Sequence, residues 1–137
     1  MNTFSLNKAL VDHLEEYLSI TGGLPPLFKS GSSEIPPAST KHLMEYVISG
    51  ETDTIGISDT DSNITRGFYQ IDINFPKRQG RFGLLADSDK VSLGFPKGLL
   101  LTHGEQQIKI GVTTWSPVRE NDLSNVVSLR IRFSVIG

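Results

Sequence analysis

The three histidines are the residues of this sequence best suited to acid–base or metal chemistry, and their spacing supports neither. His13, His42 and His103 are far apart, and no His-x-x-x-His or His-Glu-x-x-His pattern would bring two imidazole rings to one zinc ion. Cysteine is absent, which excludes disulfides, thiolate metal sites and a cysteine nucleophile. We therefore expect no metal centre and no cofactor. His13 lies on the apolar side of a predicted helix and is interpreted as a packed, hydrogen-bonded residue.

Two further patterns are similar to catalytic sites but lack the required residues. Asp87 and Asp89 lie two positions apart on a predicted helix and diverge, so they are interpreted as a solvated helix face. The sequence Gly80-Arg81-Phe82-Gly83 lies between a predicted strand and a predicted helix, as a phosphate-binding loop does. It matches neither Gly-x-x-x-x-Gly-Lys-Ser/Thr nor Gly-x-Gly-x-x-Gly. The sequence therefore favours a protein that is not an enzyme; a small-ligand enzyme that uses residues 77–83 is the alternative.

Charge and hydropathy limit the classes of binding partner. The 137 residues include 13 Lys and Arg against 15 Asp and Glu, a net charge of −2. Binding to nucleic acid needs a clustered basic surface, so we expect no sequence-specific nucleic acid partner. No apolar run reaches the roughly 18 residues that cross a membrane, and the first residues lack the pattern of a secretory signal. We expect a single domain over residues 1–137, with no membrane partner.

The strongest structural pattern lies in residues 66–98. Four apolar residues alternate with polar ones and predict a strand with one buried face: Tyr69, Ile71, Ile73 and Phe75. Pro76 ends this strand because proline has no N–H group to donate to a neighbouring strand. After a polar turn, apolar residues at helical spacing predict a second helix that ends before the sequence Phe95-Pro96-Lys97-Gly98.

Periodic apolar residues predict the other elements. A helix covers residues 3–20, a strand covers residues 43–49, a hairpin joins residues 99–101 to 106–112, and a last strand covers residues 127–135. The residues predicted to face inward in the first strand and the hairpin are Met44, Tyr46, Ile48, Ile108, Ile110 and Val112. Those predicted to face inward in the last strand are Val127, Leu129, Ile131, Phe133 and Val135.

Polar segments separate these elements. Residues 22–41 are rich in proline, glycine and serine, and residues 51–65 are polar and acidic, so both are interpreted as surface connections. We expect residues 24–40 and 51–64 to be mobile in the free subunit. The loop of residues 114–125 holds Trp115 and Pro117, which either cap the core or anchor an interface. The elements together predict an α+β fold, a mostly antiparallel sheet of about five strands with two helices packed on one face and a polar opposite face.

A series of short motifs resembles the signature of a phage protein family. The motifs are Arg66-Gly67-x-Tyr69-Gln70-x-Asp72, then Pro76 and Gly80, then Ala86-Asp87, then Phe95-Pro96-Lys97-Gly98. Their order and spacing are similar to those of the tail terminator, or tail completion, proteins of long non-contractile phage tails, the group that includes minor tail protein U. The N-terminal helix, the polar segment before Arg66 and the closing strand with Arg130 and Arg132 extend the resemblance over most of the chain.

The resemblance implies a structural, non-enzymatic role. Proteins of this family form a ring of six subunits on the last ring of the tail tube, stop tube growth and prepare the tail for joining to the head. The implied partners are other copies of the chain, the tail tube protein and the head–tail connector proteins. The implied location is the head-proximal end of the tail, after synthesis in the host cytoplasm. A different joint protein of the virion, such as a head-completion or tail-tube subunit, is the alternative.

The family supplies no catalytic residues, so candidate interface positions come from the sequence pattern. We expect the charged residues of the polar segment, of the turn after Pro76 and of the outward side of the last strand to contact neighbouring subunits. These residues are Asp53, Asp59, Asp61, Arg66, Lys77, Arg78, Arg81, Arg130 and Arg132.

Overall fold

The computed structural model describes residues 3–29, 40–54, 63–103, 106–120 and 123–136. These residues form two α-helices, a short 3₁₀ helix at Lys77–Gln79 and seven strands. In chain order the elements are α1 (Thr3–Thr21), β1 (Leu27–Lys29), β2 (His42–Thr54), β3 (Asn63–Pro76), α2 (Arg81–Ser92), β4 (Leu100–His103), β5 (Gln106–Trp115), β6 (Arg119–Glu120) and β7 (Ser124–Ile136). Neither helix of the described chain is long and apolar enough to cross a membrane.

The sheet is larger than the sequence predicts. Its strands follow the order β1-β2-β3-β7-β5-β4, and β6 pairs with β7 beside this path. The β1–β2 pair is parallel and the other pairs are antiparallel, so the sheet is mixed. The α+β class is confirmed, but the expectation of about five strands is wrong. The missed strands β1 and β6 have three and two residues, too few to show an alternating pattern.

The pairing of β3 with β7 forms the centre of the sheet. It runs from Ile64 opposite Ile136 to Pro76 opposite Ser124 without a shift of register. Its inward residues lie in three opposed pairs that are at most 1% exposed: Tyr69 with Ile131, Ile71 with Leu129, and Ile73 with Val127. The predicted alternation in these two strands is therefore confirmed.

Both helices bury their apolar sides in the same core. Leu10 and Leu14 of α1 and Leu84 and Val91 of α2 are fully buried and join the inward residues of the sheet in one cluster. Burial of apolar surface, at roughly 25 cal/mol for each Å², is the main force that holds the helices on the sheet. One face of the sheet is thus covered, as the sequence predicts.

Helix α1 also contacts the turn that follows α2. His13 Nε2 donates to the carbonyl oxygen of Gly94 at 2.6 Å, and its ring packs edge-on against Phe95 with centroids 4.9 Å apart. The hydroxyl of Tyr17 donates to the carbonyl oxygen of Lys90. A Cβ atom on Gly94 would lie 2.7 Å from the Tyr17 ring, so glycine permits the close approach. The interpretation of His13 as a packed, hydrogen-bonded residue is confirmed.

The predicted facing of β2 is wrong. Leu43, Glu45 and Val47 lie opposite the inward residues Ile73, Ile71 and Tyr69, so they point to the core. Met44, Tyr46 and Ile48 point to the other face, and Ile48 is 45% exposed. Both alternating sets of this strand are largely apolar, and the core-facing set contains a carboxylate, Glu45, that is only 4% exposed. A buried carboxylate is rare, which is why the pattern favoured the other set.

The side chains of β5 change the face of the sheet to which they point, partway along the strand. Ile110 lies opposite Phe133, but Thr113 lies opposite Ile131, so β5 has one residue more than β7 between these pairs. Such a bulge bends the strand and changes the alternation. Val112 is consequently 48% exposed, and its predicted inward position is wrong, whereas Ile108 and Ile110 are buried as predicted.

Two other expectations from the sequence need correction. Asp87 is 9% exposed instead of solvated, and its Oδ2 lies 4.0 Å from Nζ of Lys41, which comes from the segment before β2. The segment of residues 51–65 is in part strand, because β2 continues to Thr54, which pairs with Asn63 of β3. Backbone hydrogen bonds carried by polar residues extend these strands, and apolar periodicity does not reveal them. Residues 30–39 and 55–62, also expected to be mobile, lie outside the described residues.

We predict opposite effects for neighbouring substitutions in β7. Ile131→Asp places a charge in the core and should lower the free energy of unfolding by about 4 kcal/mol or more, or prevent soluble expression. Arg132→Asp, on the exposed face, should leave the protein folded. Urea unfolding followed by circular dichroism measures both. Equal stability of the two variants would contradict the register of β7.

We also predict a loss of stability at alkaline pH that depends on Tyr69. Burial, together with the nearby Glu45 carboxylate, raises the pKa of Tyr69 well above its ordinary value. An unfolded tyrosine releases its proton near pH 10, where the folded protein retains it, so the free energy of unfolding should fall above pH 10 by about 1.4 kcal/mol for each pH unit. Below pH 10 the contribution is fully present.

Tyr69→Phe removes this titration. The stability advantage of the wild type over the variant should therefore be constant below about pH 9 and should shrink above about pH 10. Denaturant unfolding of both proteins across this range measures the difference. A difference that does not change with pH would contradict the assigned environment of Tyr69.

Candidate functional site

The outward face of β3 and β7 carries a hydrogen-bonded polar network. Asp72 Oδ1 accepts from Gln70 Nε2 at 2.9 Å and from the Ser128 hydroxyl at 2.5 Å. Arg119 Nη2 donates to the same hydroxyl at 2.8 Å. Ser128 is completely buried, although it lies on the outward face. The network therefore joins the short strand β6 to the centre of the sheet and has a structural role.

The segment before β6 closes over this network. The backbone N–H of Ser128 donates to the Ser116 hydroxyl at 2.9 Å, and the backbone N–H of Ser116 donates to the carbonyl oxygen of Ser128 at 2.9 Å. Arg130 Nε donates to Gln70 Oε1 at 3.1 Å. Arg130 is thus held at the edge of the network, although its side chain is exposed. The adjacent Trp115 is 48% exposed at the end of β5, so it does not cap the core completely.

A basic cleft lies beyond this network, toward the end of the sheet where β3 begins. Its volume is about 690 Å³. Of the described residues that line it, none is acidic and four are basic: Arg66, Lys97, Lys109 and Arg132. The other lining residues are Gly67, Phe68, Gly98, Ile110, Gly111, Phe133 and Ser134. We call this site the basic cleft.

Strand pairing and one turn bring these basic residues together. Phe68 lies directly opposite Arg132, whose guanidinium is 5.5 Å from the centre of the Phe68 ring, within the range of a cation–π contact. Lys109 lies opposite Ser134. The turn that carries Lys97 is fixed to β5, because the backbone N–H of Gly98 donates to the carbonyl oxygen of Ile110 at 2.8 Å.

A glycine occupies the bulge of β5 beside this part of the site. Gly111 lies at the bulge, and a Cβ atom there would be 3.3 Å from Cβ of Arg132. A side chain at position 111 would therefore press against Arg132, and glycine leaves that space open.

The basic cleft is lined by groups that can bind an anion. Among the described residues that line it there is no histidine and no carboxylate, and Ser134 has the one hydroxyl group. In the described part of the chain, Lys97, Lys109 and Arg132 have no carboxylate within ion-pair distance. Four cations beside the Phe68 ring suit a negatively charged ligand with some apolar surface. Among the described residues, no group of three His, Asp or Glu could hold a metal ion.

The structure separates the predicted interface residues into distinct places. Arg66 and Arg132 line the basic cleft, whereas Lys77, Arg78 and Arg81 lie past the opposite end of β3. The guanidinium of Arg81 is 5.5 Å from the ring centre of Phe82, which is 77% exposed.

Of the three predicted acidic interface residues, Asp53 lies in the described part of the chain. Asp53 pairs with Ile64 through its backbone in β2. Asp59 and Asp61 lie outside the described residues.

Sequence reasoning missed three residues of the cleft. Lys109 lies between Ile108 and Ile110, which were predicted to face inward, so the same alternation predicts that Lys109 faces outward. Phe68 is outward because the inward set begins at Tyr69. Lys97 could not be placed, because its position depends on the contact of its turn with β5.

Comparisons with known proteins identify similar chains. The sequence profile described as phage tail terminator protein matches residues 5–133. One solved structure, which carries no functional description, is 18% identical, covers 98% of this chain and 96% of its own, and superposes with a TM-score of 0.77. A chain from the virion of a native gene transfer agent particle is 17% identical, with 96% and 95% covered and a TM-score of 0.58. At these identities the two structures show a shared fold. No curated protein sequence matches the chain.

We predict that the polar network stabilises the sheet. Asp72→Ala removes the acceptor for both Gln70 and the buried Ser128 hydroxyl, so it should lower the free energy of unfolding by about 1–3 kcal/mol. Asn74→Ala, on the same face of the same strand, is the control and should change stability by less than about 0.5 kcal/mol. Urea unfolding measures both. An equal effect of the two substitutions would contradict the structural role of the network.

Proposed function

Because this chain belongs to the phage tail terminator family, we propose that it ends the phage tail tube. The family resemblance predicted from the sequence is confirmed, and the protein is a structural component of the phage tail. In the proposed role, copies of the chain close into a ring of six on the last ring of tube subunits. The ring stops elongation and prepares the tail for joining to the head. The role needs no catalysis.

The observation that best supports this role is the difference between the two faces of the sheet. The helices and the core occupy one face, whereas the other presents exposed charged side chains and the basic cleft. In a cyclic ring, one surface of each subunit contacts a different surface of the next. A charged, open sheet face is suited to such a contact. The nine charged positions predicted from the sequence remain the candidate residues for the contact between subunits.

The proposed location and partners follow from the proposed role. Residues 1–137 act as one domain at the head-proximal end of the tail, after synthesis in the host cytoplasm. The partners are further copies of the chain, the tail tube protein and the head–tail connector proteins, with no membrane and no sequence-specific nucleic acid partner.

We predict that a phage lacking this protein makes tail tubes of uncontrolled length and few infectious particles. Without a terminating ring, tube subunits continue to add to the growing end. Negative-stain electron microscopy of lysates measures the distribution of tube lengths, and expression of the wild-type chain from a plasmid is the control that should restore it.

The same experiment separates the alternative roles. A tail-tube subunit would leave no tubes when absent, and a head-completion protein would leave tails of normal length that do not join heads. Tubes of normal length in the absence of the chain would contradict the terminator role.

A further inference from the structure

The basic cleft has the composition of a site for an acidic peptide segment. Its four cations come from β3, the turn before β4, β5 and β7, and none of the described residues that line it is acidic. Lys109 and Arg132 are exposed, so a ligand can reach their charged groups. Phe68 gives the same cleft an apolar part.

One segment of the chain is complementary to this cleft. Residues 51–61 contain four acidic residues and no basic residue, and Ile55 and Ile57 lie between the acidic pairs. The negative charges and the two central apolar side chains of this segment are complementary to the positive charges beside the Phe68 ring. A volume of about 690 Å³ is in the range of pockets that take small ligands or a short stretch of peptide.

The paired strands β2 and β3 extend past the cleft. Strands β2 and β3 remain paired as far as Thr54 and Asn63, beyond the position of Phe68. Thr54, the last described residue of β2, therefore lies past Arg66, Gly67 and Phe68 along the strand axis. A neighbouring subunit can supply the same segment.

We propose that the basic cleft binds residues 51–61 of a neighbouring copy of the chain. This inference rests on the proposed ring, because a cleft and a segment on different surfaces of one subunit form the contact that closes a cycle. Opposite charges also speed the encounter of the two surfaces and make the contact sensitive to salt.

Charge reversal tests the contact on tail tubes prepared from a phage that lacks the protein. The double variant Lys109→Glu/Arg132→Glu should bind tubes about a hundredfold more weakly than the wild type. The matched control Lys8→Glu/Lys90→Glu makes the same change in net charge on the helices and should bind as the wild type does. Lys97→Glu, in a turn, provides a second cleft variant if the double variant fails to fold.

Reversal on the segment side completes the test. Asp59→Lys/Asp61→Lys should also weaken binding, and a chain that carries both this pair and Lys109→Glu/Arg132→Glu should regain most of the loss, because opposite charges again face each other. Normal capping by the cleft variant would overturn the inference and leave the proposed function intact. Failure of the wild type to bind or cap tubes would instead overturn the proposed function.

Zero-length carbodiimide crosslinking identifies the occupant. Rings assembled on tubes from equal amounts of ¹⁴N and ¹⁵N chains should give mixed-isotope links between Lys97 or Lys109 and the acidic residues of 51–61. Links only within one chain, or links from the cleft only to the tube protein, would overturn the assignment to a neighbouring copy. Binding of a labelled oligonucleotide that Lys109→Glu/Arg132→Glu abolishes would show a nucleic acid site and would also overturn it.

Discussion

The antiparallel pairing of β3 with β7 is the constraint on which the rest of the structure depends. It is continuous from Ile64 to Pro76, and each strand has one apolar and one polar side. A shift of one residue would move every inward side chain to the opposite face, so burial of residues such as Ile71 and Leu129 fixes the register. The same register places Asp72 opposite Ser128 and Phe68 opposite Arg132 on the outer face. One pairing thus determines the core, the polar network and the basic cleft.

The outer face has two parts with different roles. Toward the end of β3, the network around Asp72 and Ser128 satisfies its polar groups within the chain and holds β6 in place. Toward the start of β3, Arg132 contacts an aromatic ring, and the described residues offer it no carboxylate. Internal hydrogen bonds explain the first part, and the contact that we propose with another subunit would account for the second. In the proposed ring a subunit needs both, because it must keep its own fold while it contacts its neighbours.

The sequence predicted the features that depend on local patterns. Strict alternation identified β3 and β7, and helical spacing identified α1 and α2, because one polar and one apolar side determine which face is buried. The facing of β2 was wrong because the core accepts Glu45 beside Tyr69, which no local pattern indicates. Strand β1 and the bulge in β5 depend on hydrogen bonds to neighbouring strands. Arg66 and Arg132 were predicted as interface residues. The sequence does not show that they lie beside Lys97, because this proximity depends on the tertiary structure.

The central claim is that this chain ends a tail tube by closing a ring. In this ring, one surface of each subunit contacts a different surface of the next subunit. Electron cryomicroscopy of the head-proximal end of the phage tail tests it most directly. The account predicts one ring of this chain above the last tube ring, with density from residues 51–61 of each subunit in the basic cleft of the next. The chain repeated along the whole tube, or its absence from the tail end, would contradict the account.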